Sequence, residues 1–190
     1  MNQIWQMWSE ELDRVAVDSI IKECETYQVK PATVGHIELI DAKEDLSIRR
    51  SELRWVSPST SPTIAKLLWN YIATANRNAF GVDITNIWDI QYTVYKGTDD
   101  GHYDWHHDTF WGNASSFDRK LSIIIQLSDP ADYEGGKFEI DPQYENPNEI
   151  ALKKQGSILV FPSTIRHRVL PVTSGVRKSL VAWVEGPKWR

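Results

Sequence analysis

Three of the five histidines in the chain fall inside one stretch, GHYDWHHDTF, as His102, His106 and His107, with Asp104 and Asp108 interleaved. Imidazole and carboxylate at this density suggest a metal site. Residues two apart on a strand share a face, so His106 and Asp108 can reach one ion while His107 points away. His102 and Asp104 make a second His-x-Asp, in phase with the first on a regular strand, and spacing alone does not choose between them. A third ligand is available in His167 of FPSTIRHRV, directly after the apolar run GSILVFP. Two imidazoles and one carboxylate form the facial triad of non-haem Fe(II) oxygenases, which leaves coordination positions open for substrates. The competing reading is ordinary: a His-x-Asp arises by chance, and a histidine after a strand is usually a polar loop residue.

Ten residues after His167 lies Arg177, in HRVLPVTSGVRKSLVAW. Pro171 and Gly175 are placed to turn the chain between two strands, and a strand pair then presents His167 and Arg177 to the same cavity. The planar fork of an arginine suits a carboxylate, as an acidic cosubstrate beside the metal requires. Lys178 faces the opposite side. Without the metal motif, Arg177 reads as a surface arginine. The chain shows no Ser-His-Asp order, nucleophile elbow or phosphate-cradling Gly-rich loop.

These residues need a scaffold. Residues 9–27 carry Leu12, Val15, Ala16, Ile20 and Cys24 near helical spacing, with Ser9 as a candidate N-cap. A second helix is predicted over 61–77, where Ser61 and Pro62 open a face of Ile64, Leu67, Leu68, Tyr71, Ile72 and Ala75. Between them, GHIELI and SELRWV read as strands that edge a sheet, separated by the charged turn DAKED. From residue 87 short β-rich runs follow: IWDIQYTVY, KLSIIIQLS, GKFEIDP, EIALKK, GSILVFP and KSLVAWVEG. Their spacing predicts a sandwich, jelly roll or barrel. The expected organisation is one unit over 1–190, with helical support mainly in 1–80 and a β core over about 85–187.

Composition bounds the rest. The 190 residues, 41% hydrophobic and 25% charged, suit a soluble globular chain and exclude disorder or a fibrous repeat. Such a chain buries roughly 70% of its unfolded surface and needs no structural metal to make a core, so a metal site is a functional one. The net charge of −5, with no Lys/Arg-rich tract, argues against nucleic acid as a partner. Cys24 is the only cysteine, which fits a reducing compartment. The N-terminal stretch turns acidic where a signal peptide needs its apolar core, and no run reaches membrane-spanning length, so a cytoplasmic location is expected, the host's cytoplasm if the gene is phage-borne.

Three segments together carry a resemblance: QYTVYKGTDDGHYDWHHD, RKLSIIIQLSDPADYEGGKFEI and GSILVFPSTIRHRVLPVTSGVRKSLVAWVEG. In order they hold a His-x-Asp, the pair Gly135 and Gly136, a late histidine and a basic residue ten positions on. The chain, over roughly residues 50–187, resembles the Fe(II)- and 2-oxoglutarate-dependent prolyl 4-hydroxylase family, particularly its small bacterial and phage PKHD-type hydroxylases. RRSELRWV and TANRNAFGVDI add to the likeness less diagnostically.

The resemblance implies an α+β, mainly β fold: a double-stranded β-helix (jelly-roll) core with supporting N-terminal helices. It chooses between the two frames by placing Fe(II) on His106, Asp108 and His167, with no catalytic side chain beyond the metal centre. It places Arg177 on the distal carboxylate of 2-oxoglutarate, Tyr95 near the cosubstrate and Tyr103 beside the iron at the substrate channel. Strand parity with the family turns Ser122, Ile124 and Gln126 inward. Gln126 departs from the pattern, since some relatives carry there a tyrosine that donates to the cosubstrate carboxylate, and its amide is expected either to replace that bond or to mark a differently shaped pocket. Arg177, Ser179, Val181 and Trp183 share a face, which puts Trp183 at the cavity wall. The segment over 109–119, TFWGNASSFDR, is expected to close over substrate with Trp111 as a contact.

The reaction implied consumes O2 and 2-oxoglutarate, releases succinate and CO2, and hydroxylates a prolyl residue of a peptide or protein, with L-ascorbate as an expected reductant of oxidised iron. Two other readings stay open: a 2-oxoglutarate oxygenase acting on a small molecule or free amino acid, and a non-catalytic metal-binding jelly roll. The sequence does not disclose the oligomeric state.

Overall fold

The computed structural model describes residues 4–33, 44–109 and 115–189. The predicted strand GHIELI and the predicted contact Trp111 lie outside the described residues. Along the chain run β1 (Gln6–Trp8), α1 (Arg14–Cys24), β2 (Lys30–Pro31), β3 (Arg49–Arg50), β4 (Glu52–Val56) and α2 (Pro62–Ala75). They are followed by β5 (Asn86–Lys96), β6 (His102–His106), β7 (Phe117–Gln126), β8 (Tyr133–Gly135), β9 (Phe138–Ile140), α3 (Glu149–Lys153), β10 (Ile158–Pro162), β11 (His167–Val169) and β12 (Val172–Pro187).

Two antiparallel sheets face each other. The larger has the order β1-β10-β7-β12-β5-β4-β2, with β8 paired to the start of β12; the smaller is β3-β6-β11-β9. This is the double-stranded β-helix that the sequence resemblance implies. The long strands of the larger sheet are buried on both faces but not by the same kind of residue. One face carries Ile90, Tyr92, Leu121, Ile123, Ile125, Leu180 and Ala182, packed with Val17, Ile20 and Cys24 of α1 and Ile64, Leu68 and Ile72 of α2. The other face alternates in Gln91, Thr93, Ser122, Gln126, Arg177 and Ser179, all buried. Apolar residues seal the helical side, each fully buried aliphatic side chain contributing roughly 1.5–3 kcal/mol. Polar residues are thereby turned toward the second sheet, where the chemistry lies.

The helix over 61–77 is found as α2, with Pro62 in its first turn and Ile64, Leu68, Ile72 and Ala75 inward. The first helix differs from its expectation. Asp13, not Ser9, caps it, its carboxylate accepting the Ala16 amide at 2.8 Å. The inward face is Val17, Ile20 and Cys24, and Val15 is 78% exposed. EIALKK is a helix turn rather than a strand. The Asn148 side chain accepts from the Ala151 amide, and Glu149 and Lys153 complement the dipole at opposite ends, a local preference that outweighs the β texture around it. Gly175 lies inside β12, and β11 pairs with β6 and β9. His167 and Arg177 therefore do not lie on paired strands; they come to one cavity from the two sheets. Among the described residues no helix is long and apolar enough to cross a membrane.

Candidate metal centre and its cavity

His106 ends β6 and His167 opens β11, and the two are direct cross-strand partners. Their rings lie 4.2 Å apart between centroids. Asp108, two residues past the strand, sends one carboxylate oxygen to within 3.7 Å of His106 Nε2 and the other to within 3.6 Å of His167 Nε2. The ligand atoms of all three lie within 4.8 Å of one another. Each imidazole donates Nδ1–H to the carbonyl two residues before it, Asp104 at 2.7 Å and Ile165 at 2.9 Å. A carbonyl only accepts, so each ring carries a proton on Nδ1 and turns Nε2 to the carboxylate.

Charge states agree with a cation in the middle. Burial, with His167 close by, pushes His106 down from 6.5 to about 3, so its ring is neutral and free to ligate. Burial opposes ionisation of Asp108, but the two imidazoles and the Ser122 hydroxyl outweigh it and hold the carboxyl below its usual range. Two nitrogen lone pairs and a carboxylate oxygen, too far apart to hydrogen-bond and turned to one point, fit a divalent ion such as Fe(II).

Ser122 explains the carboxylate's aim. Its hydroxyl donates to Asp108 Oδ2 at 2.6 Å and is itself within 2.9 Å of the Ser163 hydroxyl, while the Asp108 amide donates to the Ser163 carbonyl at 3.0 Å. Partners of this kind orient metal ligands, and Ser122→Ala is expected to lower Fe(II) affinity by about 10- to 100-fold with the fold intact, as a metal titration will show.

A pH effect follows from the same groups. An unfolded chain protonates His106 near 6.5 and the folded, metal-free protein only near 3, so the unfolded state binds more protons across that window. Stability of the metal-free protein therefore falls as pH drops from about 6.5 toward 3, and the lowered Asp108 adds to the fall at its acid end. Melting curves between pH 7 and 4 are expected to be flatter in His106→Gln than in the wild type.

The second His-x-Asp is elsewhere. His102 bonds the Asp100 carbonyl at 2.8 Å and lies 3.2 Å from that of Ser47, and Asp104 is exposed. In the pairing of β11 with β6, His167 opposes His106 but Val169 opposes Tyr103, so β6 carries an extra residue. That bulge puts the two motifs out of phase and turns Tyr103 and His106 to the same side. His107 bonds the Thr164 carbonyl at the cavity rim.

The centre opens into a cavity of about 520 Å³ whose wall includes Tyr95, Tyr103, Arg177 and Trp183. Tyr103 stacks on His106 with centroids 3.5 Å apart and planes 12° from parallel. Arg49 lies 4.3 Å from the Tyr103 ring centroid and donates to Gln91 at 2.7 Å, so the ring is clamped. Arg177 is 4% exposed, and among the described residues it has no carboxylate partner. Tyr95 opposes it across the strand pair, its ring centroid 5.6 Å from the guanidinium. Trp183 lies in the wall under the Arg119 guanidinium, 4.0 Å above it, and its indole N–H has no acceptor among the described residues. Arg119 in turn bonds Asp89 at 3.1 Å.

Gln126 turns inward, as parity predicts, but not to this cavity. Its amide donates to the Ser128 carbonyl at 3.2 Å and to the Tyr133 hydroxyl at 3.1 Å, at the edge of a small second cavity behind Arg177. Ser122, Arg49, Gln91 and Tyr133 were not given roles from sequence. Parity alone was able to flag Ser122; the others become visible only through sheet pairing.

Residues 90–185 match the family model of the 2OG-Fe(II) oxygenase superfamily. The chain is 41% identical over 96 residues to a PKHD-type hydroxylase of Synechococcus sp. (strain CC9311), covering 50% of this chain and 41% of that protein. It is 38% identical over 90 residues to one from Prochlorococcus marinus, covering 47% and 39%. The matched stretch thus spans about two-fifths of the length of these curated relatives. The fold is shared with a Pseudomonas putida prolyl-4-hydroxylase, TM-score 0.71 at 18% identity over 97% of this chain and 94% of that one. It is also shared with the viral collagen prolyl hydroxylase of Paramecium Bursaria Chlorella virus-1 in its 2OG complex, TM-score 0.71 at 19% identity over 97% of both. A Trichoplax adhaerens prolyl hydroxylase in complex with a hypoxia inducible factor peptide fragment has a TM-score of 0.73 at 14% identity, covering 95% and 83%.

Proposed function

The chain belongs to the 2OG-Fe(II) oxygenase superfamily, and from that premise we propose that it hydroxylates prolyl residues in a peptide or protein. His106, Asp108 and His167 hold Fe(II), and Arg177 receives the distal carboxylate of 2-oxoglutarate with Tyr95 beside it. Tyr103 and Trp183 border the substrate, and Trp111 is assigned to it from the sequence alone. The carrying observation is Arg177: a buried guanidinium without a counter-anion among the described residues, in the cavity that also holds the three ligand atoms. A charge left so costs several kcal/mol unless a ligand anion pairs with it.

Fe(II), when bound, supplies coordination positions for 2-oxoglutarate and O2 and the redox chemistry that couples decarboxylation to hydroxylation. The balance is one O2 and one 2-oxoglutarate consumed, with one succinate, one CO2 and one hydroxyl formed. The protein's share is positional. Ser122 aims the Asp108 carboxylate, the two backbone carbonyls fix the imidazole tautomers, and the Tyr103 ring shields His106 from water. No general base is required, which agrees with a cavity whose histidines are already hydrogen-bonded at Nδ1.

A peptide substrate is supported by the cavity mouth, where Trp88 is 62% and Trp55 39% exposed beside the buried wall. Aromatic faces of this kind suit the rigid, extended backbone around proline. The PKHD-type hydroxylases and prolyl hydroxylases named above lend the same support. Incubation with proline-containing peptides, read by fragment mass spectrometry, is expected to show one added oxygen on a prolyl residue. Oxygen added to a free amino acid or small molecule, with peptides untouched, contradicts the assignment.

A further inference from the structure

Resting on that reading, we propose that Arg49 is a second anion site of the main cavity, which takes a carboxylate carried by the peptide substrate next to the prolyl residue that is hydroxylated. Arg177 has a counterpart. Arg49 lines the same cavity and is 7% exposed, and its hydrogen bonds run to neutral acceptors. Its Nε donates to the Ser51 hydroxyl at 3.0 Å and its Nη2 to Gln91 Oε1 at 2.7 Å. One face of the guanidinium is spent on the Tyr103 ring. Its Nη1 and the Tyr103 hydroxyl are left without a partner among the described residues.

The seat holds the guanidinium in place without neutralising it. Gln91 and Thr93 are buried, and Gln91 Oε1 accepts from the Thr93 hydroxyl at 3.1 Å as well as from Arg49. Two donors fix that oxygen, and it fixes the arginine. A guanidinium so placed, with a nitrogen to spare, is suited to a carboxylate.

Counting charge shows which molecule must bring that carboxylate. The acids of the lining are Asp108, Asp89 and Glu185. Asp108 belongs to the metal centre, Asp89 pairs with Arg119 at 3.1 Å, and Glu185 opposes Arg119 across the strand pair. With the metal bound, its two charges are cancelled by Asp108 and the chelating carboxylate of 2-oxoglutarate, and Arg177 by the distal one. Arg49 is left over. Arg177 opposes Tyr95 on β5, and Arg49 bonds Gln91 four residues along that strand, about 13 Å away, so a single distal carboxylate serves one of them. Arg49 stands instead on Tyr103, which stacks on His106 and borders the substrate. A buried charge left unpaired there is costly, and a substrate carboxylate relieves it.

The test uses peptides in pairs that differ by one charge: glutamate against glutamine after the prolyl residue, glutamate against glutamine before it, and a C-terminal proline as acid against amide. Calorimetry on the Mn(II)- and 2-oxoglutarate-loaded wild type is expected to show at least one pair whose carboxylate member binds about tenfold or more tightly, the worth of a hydrogen bond to a charged group. The pair that responds tells an acidic neighbour from a chain end. In Arg49→Gln the two members of that pair bind alike, while affinities for Mn(II) and 2-oxoglutarate stay at wild-type values. A wild type that binds both members of every pair alike overturns the proposal, whether or not the variant folds. An Arg49→Gln protein that keeps the preference also overturns it, as does one whose loss falls on Mn(II) or 2-oxoglutarate, which marks Arg49 as a support of the metal centre. A wild type that takes Mn(II) and 2-oxoglutarate but binds no peptide of any pair overturns the prolyl reading and this inference with it, and is told apart because the unmutated protein already fails.

Discussion

Replacing His167 with alanine is expected to remove Fe(II) from the protein under conditions where the wild type retains it, and to bring succinate formation to background. His167 is 5% exposed, its Nδ1 is tied to the Ile165 carbonyl, and its Nε2 faces Asp108 at 3.6 Å. Every feature of the ring is spent on presenting one lone pair. Loss of a partner behind a ligand typically costs 10- to 100-fold in metal affinity, so loss of the ligand is expected to exceed about 100-fold. Asp108→Ala is expected to match it, while His102→Ala, in the competing motif, leaves iron and turnover unchanged. Metal analysis after gel filtration together with succinate yield separates the three. Iron retained by His167→Ala, or lost from His102→Ala, contradicts the assignment.

Removing Arg177 gives the second large effect, with an opposite signature in the empty protein. Arg177→Leu takes away a buried charge that has no counter-anion among the described residues. Truncating one partner of a buried charge pair costs about 2–5 kcal/mol, so 2-oxoglutarate affinity is expected to fall by roughly 30- to several-thousand-fold. The ligand-free protein, relieved of an uncompensated charge, is expected to melt at or above the wild-type temperature. Added 2-oxoglutarate raises the Tm of the wild type and not of the variant, because a ligand stabilises only the state that binds it. Fe(II) affinity is unaffected. A variant that melts lower and still binds 2-oxoglutarate shows a structural arginine.

The sequence disclosed more of the site than of its support. Strand alternation put Ser122, Ile124 and Gln126 on one face of β7 and Arg177, Ser179, Val181 and Trp183 on one face of β12, and both faces are inward, because alternation is a property of a single strand. The two motifs around His106 were not separable by the same rule. A bulge between Tyr103 and His106 decides their phase, and a bulge is a feature of two paired strands. The pairing of His167 with Arg177 on adjacent strands was a natural guess from ten residues of spacing. It failed because β11 leaves for the smaller sheet, a topological choice that spacing does not encode. EIALKK read as β because its neighbours were β, although Asn148 already carried the cap that makes it a helix turn. Arg49 was invisible for a further reason: it acts through the side chains it holds, Gln91 and Tyr103, and contact across sheets leaves no mark on local pattern.

The most direct test of the account is the fate of oxygen. Anaerobically purified protein is loaded with Fe(II) and 2-oxoglutarate, given proline-containing peptide and heavy-oxygen-labelled O2, and the products are weighed by mass spectrometry. The account predicts succinate and hydroxylated peptide in equal amounts, each carrying one labelled oxygen, and neither product from His167→Ala. Iron bound at the site with no succinate formed, or peptide hydroxylated without consumption of 2-oxoglutarate, contradicts it.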